Sequence, residues 1–256
     1  MSFAAERSRP IQDPIQSPTP DPALAARLDA APWPDIEDDL TARGYALIPH
    51  LLDDAQCEAL AALYDQAAPF RSRIVMARHG FGQGEYQYFA YPLPGTVAQL
   101  RGLLYARLVG LANRWADWLG SNTRFPPTHA DFIARCHAAD QRRPTPLLLR
   151  YGPGDYNCLH QDLYGEHVFP VQAAILLSAP GLDFTGGEFV LTEQRARRQS
   201  RAEVVPLGKG DAVLFAVHHR PLQGARGAAR AVLRHGVSRV RAGKRHTLGV
   251  ILHDAA

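Results

Sequence analysis

The stretch "YNCLHQDLYG" sets His160 and Asp162 two residues apart, and an imidazole with a carboxylate at that spacing can hold a divalent metal. A second pair, His129 and Asp131 in "THADF", has the same spacing and competes for the role. Eleven histidines and seventeen aspartates in 256 residues lead one to expect about one such pair by chance, so the motif alone decides nothing. Conformation decides. Residues two apart share a face on a strand but point nearly opposite ways from a helix. "PPTHADFIARCHAAD" offers Thr128 or Asp131 as a helix start, which separates His129 from Asp131. His160 and Asp162 instead follow the turn-forming "YGPGDY" into an extended segment, where both can face one ion.

A mononuclear iron site for oxygen chemistry needs a third protein ligand on the same face and open positions for substrate and oxygen. His235 in "VLRHGVSRV" is the best placed, on a late strand that an antiparallel barrel returns beside the earlier one. Taken alone, His235 reads more readily as a core histidine than as a ligand. The tail "HGVSRVRAGKRHTLGV" adds Arg245 and Thr247, ten and twelve residues further on. A hairpin of this length carries both onto a neighbouring strand and a common face, with His246 pointing the other way. A guanidinium fork beside a hydroxyl suits the distal carboxylate of a dicarboxylic acid.

This pattern resembles the Fe(II)- and 2-oxoglutarate-dependent dioxygenases, whose signature is His-x-Asp, a distal His, and an Arg or Lys one hairpin later. The resemblance covers roughly residues 147–254. Within it "RYGPGDYNCLHQD" is similar to the prolyl-hydroxylase lead-in, and "FTGGEF" and "GKGDAVLF" to its later strand and turn signals. Upstream, "GYALIPHLLDDAQCEAL" looks like the entry segment of such enzymes. The resemblance implies that His160, Asp162 and His235 bind Fe(II), that Arg245 with Thr247 binds 2-oxoglutarate, and that Tyr151 adds a hydroxyl to this cosubstrate. It also implies a double-stranded β-helix core of jelly-roll or cupin-like shape. The implied reaction is C–H hydroxylation by O2 with 2-oxoglutarate decarboxylated to succinate and CO2, ascorbate serving as reductant in vitro. Related halogenases carry a small residue where Asp162 stands, so the aspartate implies hydroxylation. The nearest branch is a bacterial one proposed to oxidise methyl lesions on nucleic acids. Alternatives are a prolyl-type hydroxylase of a protein side chain, a hydroxylase of a free amino acid or small metabolite, and, in another class, a non-catalytic cupin-like binding module.

Such side chains need a scaffold. From residue 147 onward short apolar runs alternate with Gly, Pro and Asp turns, as in "VFPVQAAILLSAPG", "GGEFVLTE" and "AEVVPLGKGDAVLFAV". Six or more strands with no helix between them predict an antiparallel sandwich or barrel. Residues 35–146 read as a helical half. In it "DIEDDLTARGYALIPHLLDDAQCEALAALYDQA" gives helix, short strand and helix, the second helix opened by Asp53 or Asp54 and striped by Cys57, Leu60, Ala61 and Tyr64. "TVAQLRGLLYARLVGLANRWADWLG" predicts a long helix with Trp115 and Trp118 in the core. Between them "ARHGFGQGEYQYFAYPLPG" predicts a mobile or ligand-facing segment. Tyr86 and Tyr88 in it are candidate substrate contacts, as are Gln172 in "FPVQAAILL" and His218 in "FAVHHRPLQG". Each has an alternative reading: packing under a loop for the tyrosines, barrel interior for Gln172, a solvent-facing turn for His218. The fold class expected is mostly β with flanking helices (α+β), a single domain over 35–256 preceded by a Pro-rich, partly ordered arm over 1–34.

Composition narrows the partners. Net charge is only +3, and Lys209 and Lys244 are the only lysines among 28 cationic residues, an arginine bias that does not by itself describe a phosphate-binding face. Nucleic acid stays a candidate through the resemblance and the aromatic residues from Phe81 to Tyr91. Three cysteines without a CxxC pair suggest neither a zinc site nor a disulfide framework. With no apolar run of signal-peptide or membrane-spanning length, the expectation is a cytoplasmic protein without membrane contact.

Overall fold

The computed structural model describes residues 20–224 and 227–256. Asp21 accepts the Ala23 N–H and starts α1 (Pro22–Asp29), whose Leu24 and Leu28 are buried. The expected arm therefore divides: residues 1–19 lie outside the described residues, whereas 22–29 are built into the core. α2 (Trp33–Arg43) ends at Gly44, in the left-handed conformation at φ 84°, and leads into β1 (Tyr45–Ile48). Asp53 and Gln56 form a capping box at the head of α3 (Asp54–Ala62), which buries Cys57 and Leu60 on its inner face.

After β2 (Phe70–Val75), the segment expected to be mobile or ligand-facing supplies β3 (Gly82–Gln83) and β4 (Glu85–Phe89). Its alternating aromatics are strand formers that needed partner strands from elsewhere in the chain, which local pattern does not reveal. α4 (Gly95–Trp118) buries Leu100, Leu104, Leu108, Leu111 and Trp115, but Trp118, its final residue, is 53% exposed and not in the expected core. Thr128 accepts the Asp131 N–H and caps α5 (His129–Ala138). His129 and Asp131 diverge as the helix requires: one bonds the Leu252 carbonyl at 2.9 Å, the other the Thr128 hydroxyl at 2.6 Å.

The rest of the chain is strands: β5 (Leu147–Tyr151), β6 (Tyr156–His160), β7 (Val171–Leu176), β8 (Phe184–Gly186), β9 (Phe189–Arg195), β10 (Arg201–Val205), β11 (Ala212–Ala216), β12 (His219–Gly224), β13 (Gly227–Val237), β14 (Val240–Gly243) and β15 (Arg245–Val250). One sheet runs β1-β11-β7-β15-β5-β4-β2, and a second runs β10-β9-β13-β6-β3 with β12 also on β13. The sheets pack face to face where Phe189 and Leu191 of β9 meet Ala174 of β7 and Phe215 of β11. This is a jelly-roll, the double-stranded β-helix. Residue 147 is not the helix-to-strand boundary expected, because β1, β2 and β4 from the N-terminal half complete the first sheet.

Alternation sorts the side chains of that sheet. Ala173 and Ile175 of β7 and Leu248 and Val250 of β15 join the helix-side core with α4, while Gln172 and Ala174, and Arg245, Thr247 and Gly249, line a space between the sheets. Covered on both faces, β7 and β11 are buried along their whole length. No helix among the described residues is long and apolar enough to cross a membrane.

Candidate metal centre and adjoining pocket

His160 ends β6 directly opposite His235 of β13. Between that pair and the next, Asn157 opposite Val237, β6 carries one extra residue, a bulge. The bulge breaks the alternation and turns both Asn157 and His160, three residues apart, towards one cavity. Asp162, two residues past the strand, is buried at its edge. One ligand atom from each of His160, Asp162 and His235 lies within 4.8 Å of the others. His160 Nε2 is 3.5 Å from Asp162 Oδ1 and His235 Nε2 is 3.3 Å from Oδ2.

The three side chains are held from outside. Asp162 Oδ1 accepts the Tyr164 hydroxyl at 2.7 Å, and Oδ2 accepts the Gln172 amide at 2.6 Å. Tyr88 donates to the Tyr164 oxygen at 3.2 Å, so it stands one step behind Asp162. The Cys158 carbonyl lies 2.8 Å from His160 Nδ1 and takes the proton there when Nε2 carries the lone pair. The His235 ring is fixed by packing, 4.6 Å from Phe215 and 6.0 Å from Phe189 between ring centres. Burial pushes the Asp162 carboxyl up, but the hydrogen bond and charge of His235, then His160 and the Gln172 amide, hold it well below the usual carboxylate range. Burial and then the charge of His235 push His160 down. A buried carboxylate and two imidazole nitrogens turned on one point form a donor set that suits a transition metal with open positions.

The cavity holds about 190 Å³ and runs from this triad to Arg245. Arg245 is 1% exposed and sits across from Tyr151 of β5. It donates to the Thr247 hydroxyl. Among the described residues no carboxylate pairs with it, and its Nε has no hydrogen-bond partner. The Gly187 backbone, at φ 64°, lies against the guanidinium stem, where a Cβ would come within 2.9 Å of Arg245 Cδ. Burial pushes the guanidinium down to about 10, which still leaves it charged at neutral pH. A buried cation with no counter-charge is strongly unfavourable, so the pocket is suited to an anion.

Of the other expected residues, Tyr86 lines the cavity, and Gln172 both lines it and holds Asp162. Tyr88, expected at the substrate, is packed behind Tyr164 and does not line the cavity. His218 is also elsewhere. It follows the end of β11, stacks on His219 at 3.4 Å, and faces a separate hollow beside Trp115 of α4. Sequence reasoning missed Tyr164 and Asn157. Tyr164 repeats the two-residue spacing in "QDLY" that joins His160 to Asp162, a signal that was available; the place of Asn157 depends on the bulge, which spacing does not display.

Residues 84–255 match a family model, Oxygenase-NA, described as an oxygenase catalysing oxidative methylation of damaged DNA. An uncharacterized protein of Mycobacterium tuberculosis H37Rv is 46% identical over 168 residues, 66% of this chain and 72% of that protein, and strain CDC 1551 has a counterpart with the same values. An oxidoreductase of the 2OG-Fe(II) oxygenase family from Burkholderia pseudomallei superposes with a TM-score of 0.52 at 17% identity, over 89% of this chain and 94% of that one. A Trichoplax adhaerens prolyl hydroxylase, solved with a peptide fragment of the hypoxia inducible factor oxygen degradation domain, gives 0.51 at 15% identity, over 91% and 93%. These two structures share the fold.

Proposed function

The chain belongs to the Oxygenase-NA family of oxygenases, and from that premise we propose that it is an Fe(II)- and 2-oxoglutarate-dependent enzyme hydroxylating a methyl group on alkylated nucleic acid, the oxidised N-methyl carbon leaving as formaldehyde. One observation carries the cofactor reading: His160, Asp162 and His235 share a cavity with a buried Arg245 that has no anionic partner among the described residues. His160, Asp162 and His235 would hold Fe(II), and Arg245, Thr247 and Tyr151 the distal carboxylate of 2-oxoglutarate. A divalent ion, Asp162 and Arg245 together leave two positive charges, which a dicarboxylate balances in a site with little water. Once bound, Fe(II) would activate O2, the oxidant, and 2-oxoglutarate would supply two of the four electrons that O2 takes up, leaving as succinate and CO2, while the substrate C–H bond supplies the other two.

The protein's own part is to bind, orient and shield. Tyr164 and Gln172 occupy one lone pair on each Asp162 oxygen and fix the direction of the carboxylate. Leu147, Leu149, Phe189 and Val237 make apolar walls that keep bulk water from the reacting centre. At about 190 Å³ the cavity is below the few hundred Å³ of pockets that enclose a whole drug-sized ligand, which favours one small group entering while the body of the substrate stays outside. A methylated base on a polymer meets that condition. The cysteines are free, and we place the activity in the reducing cytoplasm.

The test is release of formaldehyde from a methylated single-stranded oligonucleotide by the protein with Fe(II), 2-oxoglutarate and ascorbate. The expected result is formaldehyde in step with succinate. Succinate formation stimulated instead by a peptide, or by a pool of free amino acids, would move the reading to a hydroxylase of those; absence of metal and 2-oxoglutarate binding would leave a cupin-like binding module.

A further inference from the structure

Residues 81–91 contain five aromatic side chains, and the structure gives them different duties. Tyr86, Tyr88 and Phe89 are buried, and Tyr91 turns away to donate to Asp254 at 2.9 Å. Among these five, Phe81 alone both lines the cavity of the metal triad and is exposed, with 47% of its surface open. Its ring stacks on the His79 imidazole, at 5.3 Å between centres and 22° between planes, and nearly half of its surface stays accessible to another flat group.

The backbone fixes where that ring stands. The Phe81 N–H donates to the Met76 carbonyl at 3.2 Å, and the Phe81 carbonyl accepts the Cys158 N–H of β6 at 2.9 Å. Cys158 lies two residues before His160, so the ring is tied to the strand that carries a metal-facing side chain. Gly82 makes the attachment possible: at φ 131° its backbone lies so close to β6 that a Cβ would be 2.3 Å from the Tyr156 carbonyl oxygen. On the same turn Arg78 is exposed and makes no ion pair among the described residues.

A fixed aromatic ring, an imidazole stacked on it and an unpaired arginine three residues earlier on the same turn match the two parts of a nucleotide. The ring stacks on a base, and the cation meets a phosphate. An aromatic side chain of a peptide would use the ring and leave the cation idle. We propose that the turn Arg78–Phe81 is the base-recognition element of the substrate site, with Phe81, backed by His79, stacking on a nucleobase of a single strand while Arg78 contacts an adjoining phosphate. This rests on the nucleic-acid reading of the active site and adds the residues that select the substrate.

The test is fluorescence anisotropy of a labelled single-stranded DNA oligonucleotide with one 1-methyladenine, using protein loaded with Mn(II) and 2-oxoglutarate. Phe81→Ala should weaken binding about tenfold, and Phe81→Trp should restore it. Arg78→Ala should weaken binding and lower the slope of log affinity against log salt by about one. The thermal shift produced by Mn(II) with 2-oxoglutarate serves as the control for a folded, loaded variant. Equal binding by Phe81→Ala and wild type overturns this inference and leaves the oxygenase reading standing. A wild-type protein that makes succinate but does not bind the oligonucleotide overturns it too, and removes nucleic acid from the proposed function. Tighter binding of a peptide carrying an aromatic side chain would likewise overturn it, in favour of a protein substrate.

Discussion

Asp162 depends on its neighbours. It is a buried carboxylate whose two oxygens are each held by a neutral donor, so its charge stays available to an ion while its direction is set by Tyr164 and Gln172. Tyr164→Phe removes one of these bonds with little change of shape; Mn(II) affinity, read by calorimetry, should fall about tenfold. Arg245 is the opposite case, a buried charge with no anionic partner among the described residues. Replacing it with an apolar side chain of similar length removes a desolvation penalty along with the proposed cosubstrate contact. Arg245→Met should therefore raise the melting temperature of the cofactor-free protein and abolish the further rise produced by 2-oxoglutarate. A lower melting temperature without cofactors would show that the guanidinium is compensated in some other way.

The elements place these residues through two departures from regular structure. The bulge in β6 aims Asn157 and His160 together, and Gly82 lets the chain carrying Phe81 lie on β6. Gly82→Ala meets both a positive φ and a close carbonyl, so it should destabilise the protein by more than about 1 kcal/mol in urea unfolding. Sequence reasoning reached His160, His235 and Arg245 because each lies on a strand whose neighbours carry recognisable turn residues, and Asp162 because it follows His160 by two residues in the same extended stretch. It reached the helical fate of His129 and Asp131 through the cap at Thr128. It took the aromatic segment for a mobile or ligand-facing one and missed its strands, because β4 gains its identity from pairing with β5 and β2, contacts made far along the chain. His218 looked like a pocket residue because sequence shows that it follows a strand but not towards which side the chain then turns.

At the scale of the molecule, the helices are locked to the jelly-roll by a buried charge cluster. Arg101 of α4 pairs with Asp254 at 2.6 Å, and Asp254 also meets Tyr91 at 2.9 Å and His137 of α5 at 2.8 Å. Burial pushes the Asp254 carboxyl up, but the Arg101 charge and the hydrogen bonds from His137, Arg101 and Tyr91 outweigh it and hold it below the ordinary range. A carboxyl lowered in the folded state stabilises fully above its unfolded pKa, and that contribution is lost as pH falls through the folded value. Asp254→Asn leaves Arg101 buried without its counter-charge; it should cost about 3–5 kcal/mol at neutral pH and flatten the acid limb of the stability curve, measured by denaturant titration across pH. The strand-rich half and the fold class were legible from turn spacing, whereas the completion of the main sheet by β1, β2 and β4 was not, since it is set by packing across the whole chain. The central claim is that this scaffold brings a metal triad and a dicarboxylate receptor into one reacting cavity. Its most direct test is succinate formation from 2-oxoglutarate by purified protein with Fe(II), O2 and ascorbate, beside the His160→Ala and His235→Ala variants. Turnover is expected from the wild type and none from either variant; no succinate from metal-loaded wild type, or equal amounts from all three, would overturn the metal and cosubstrate assignment.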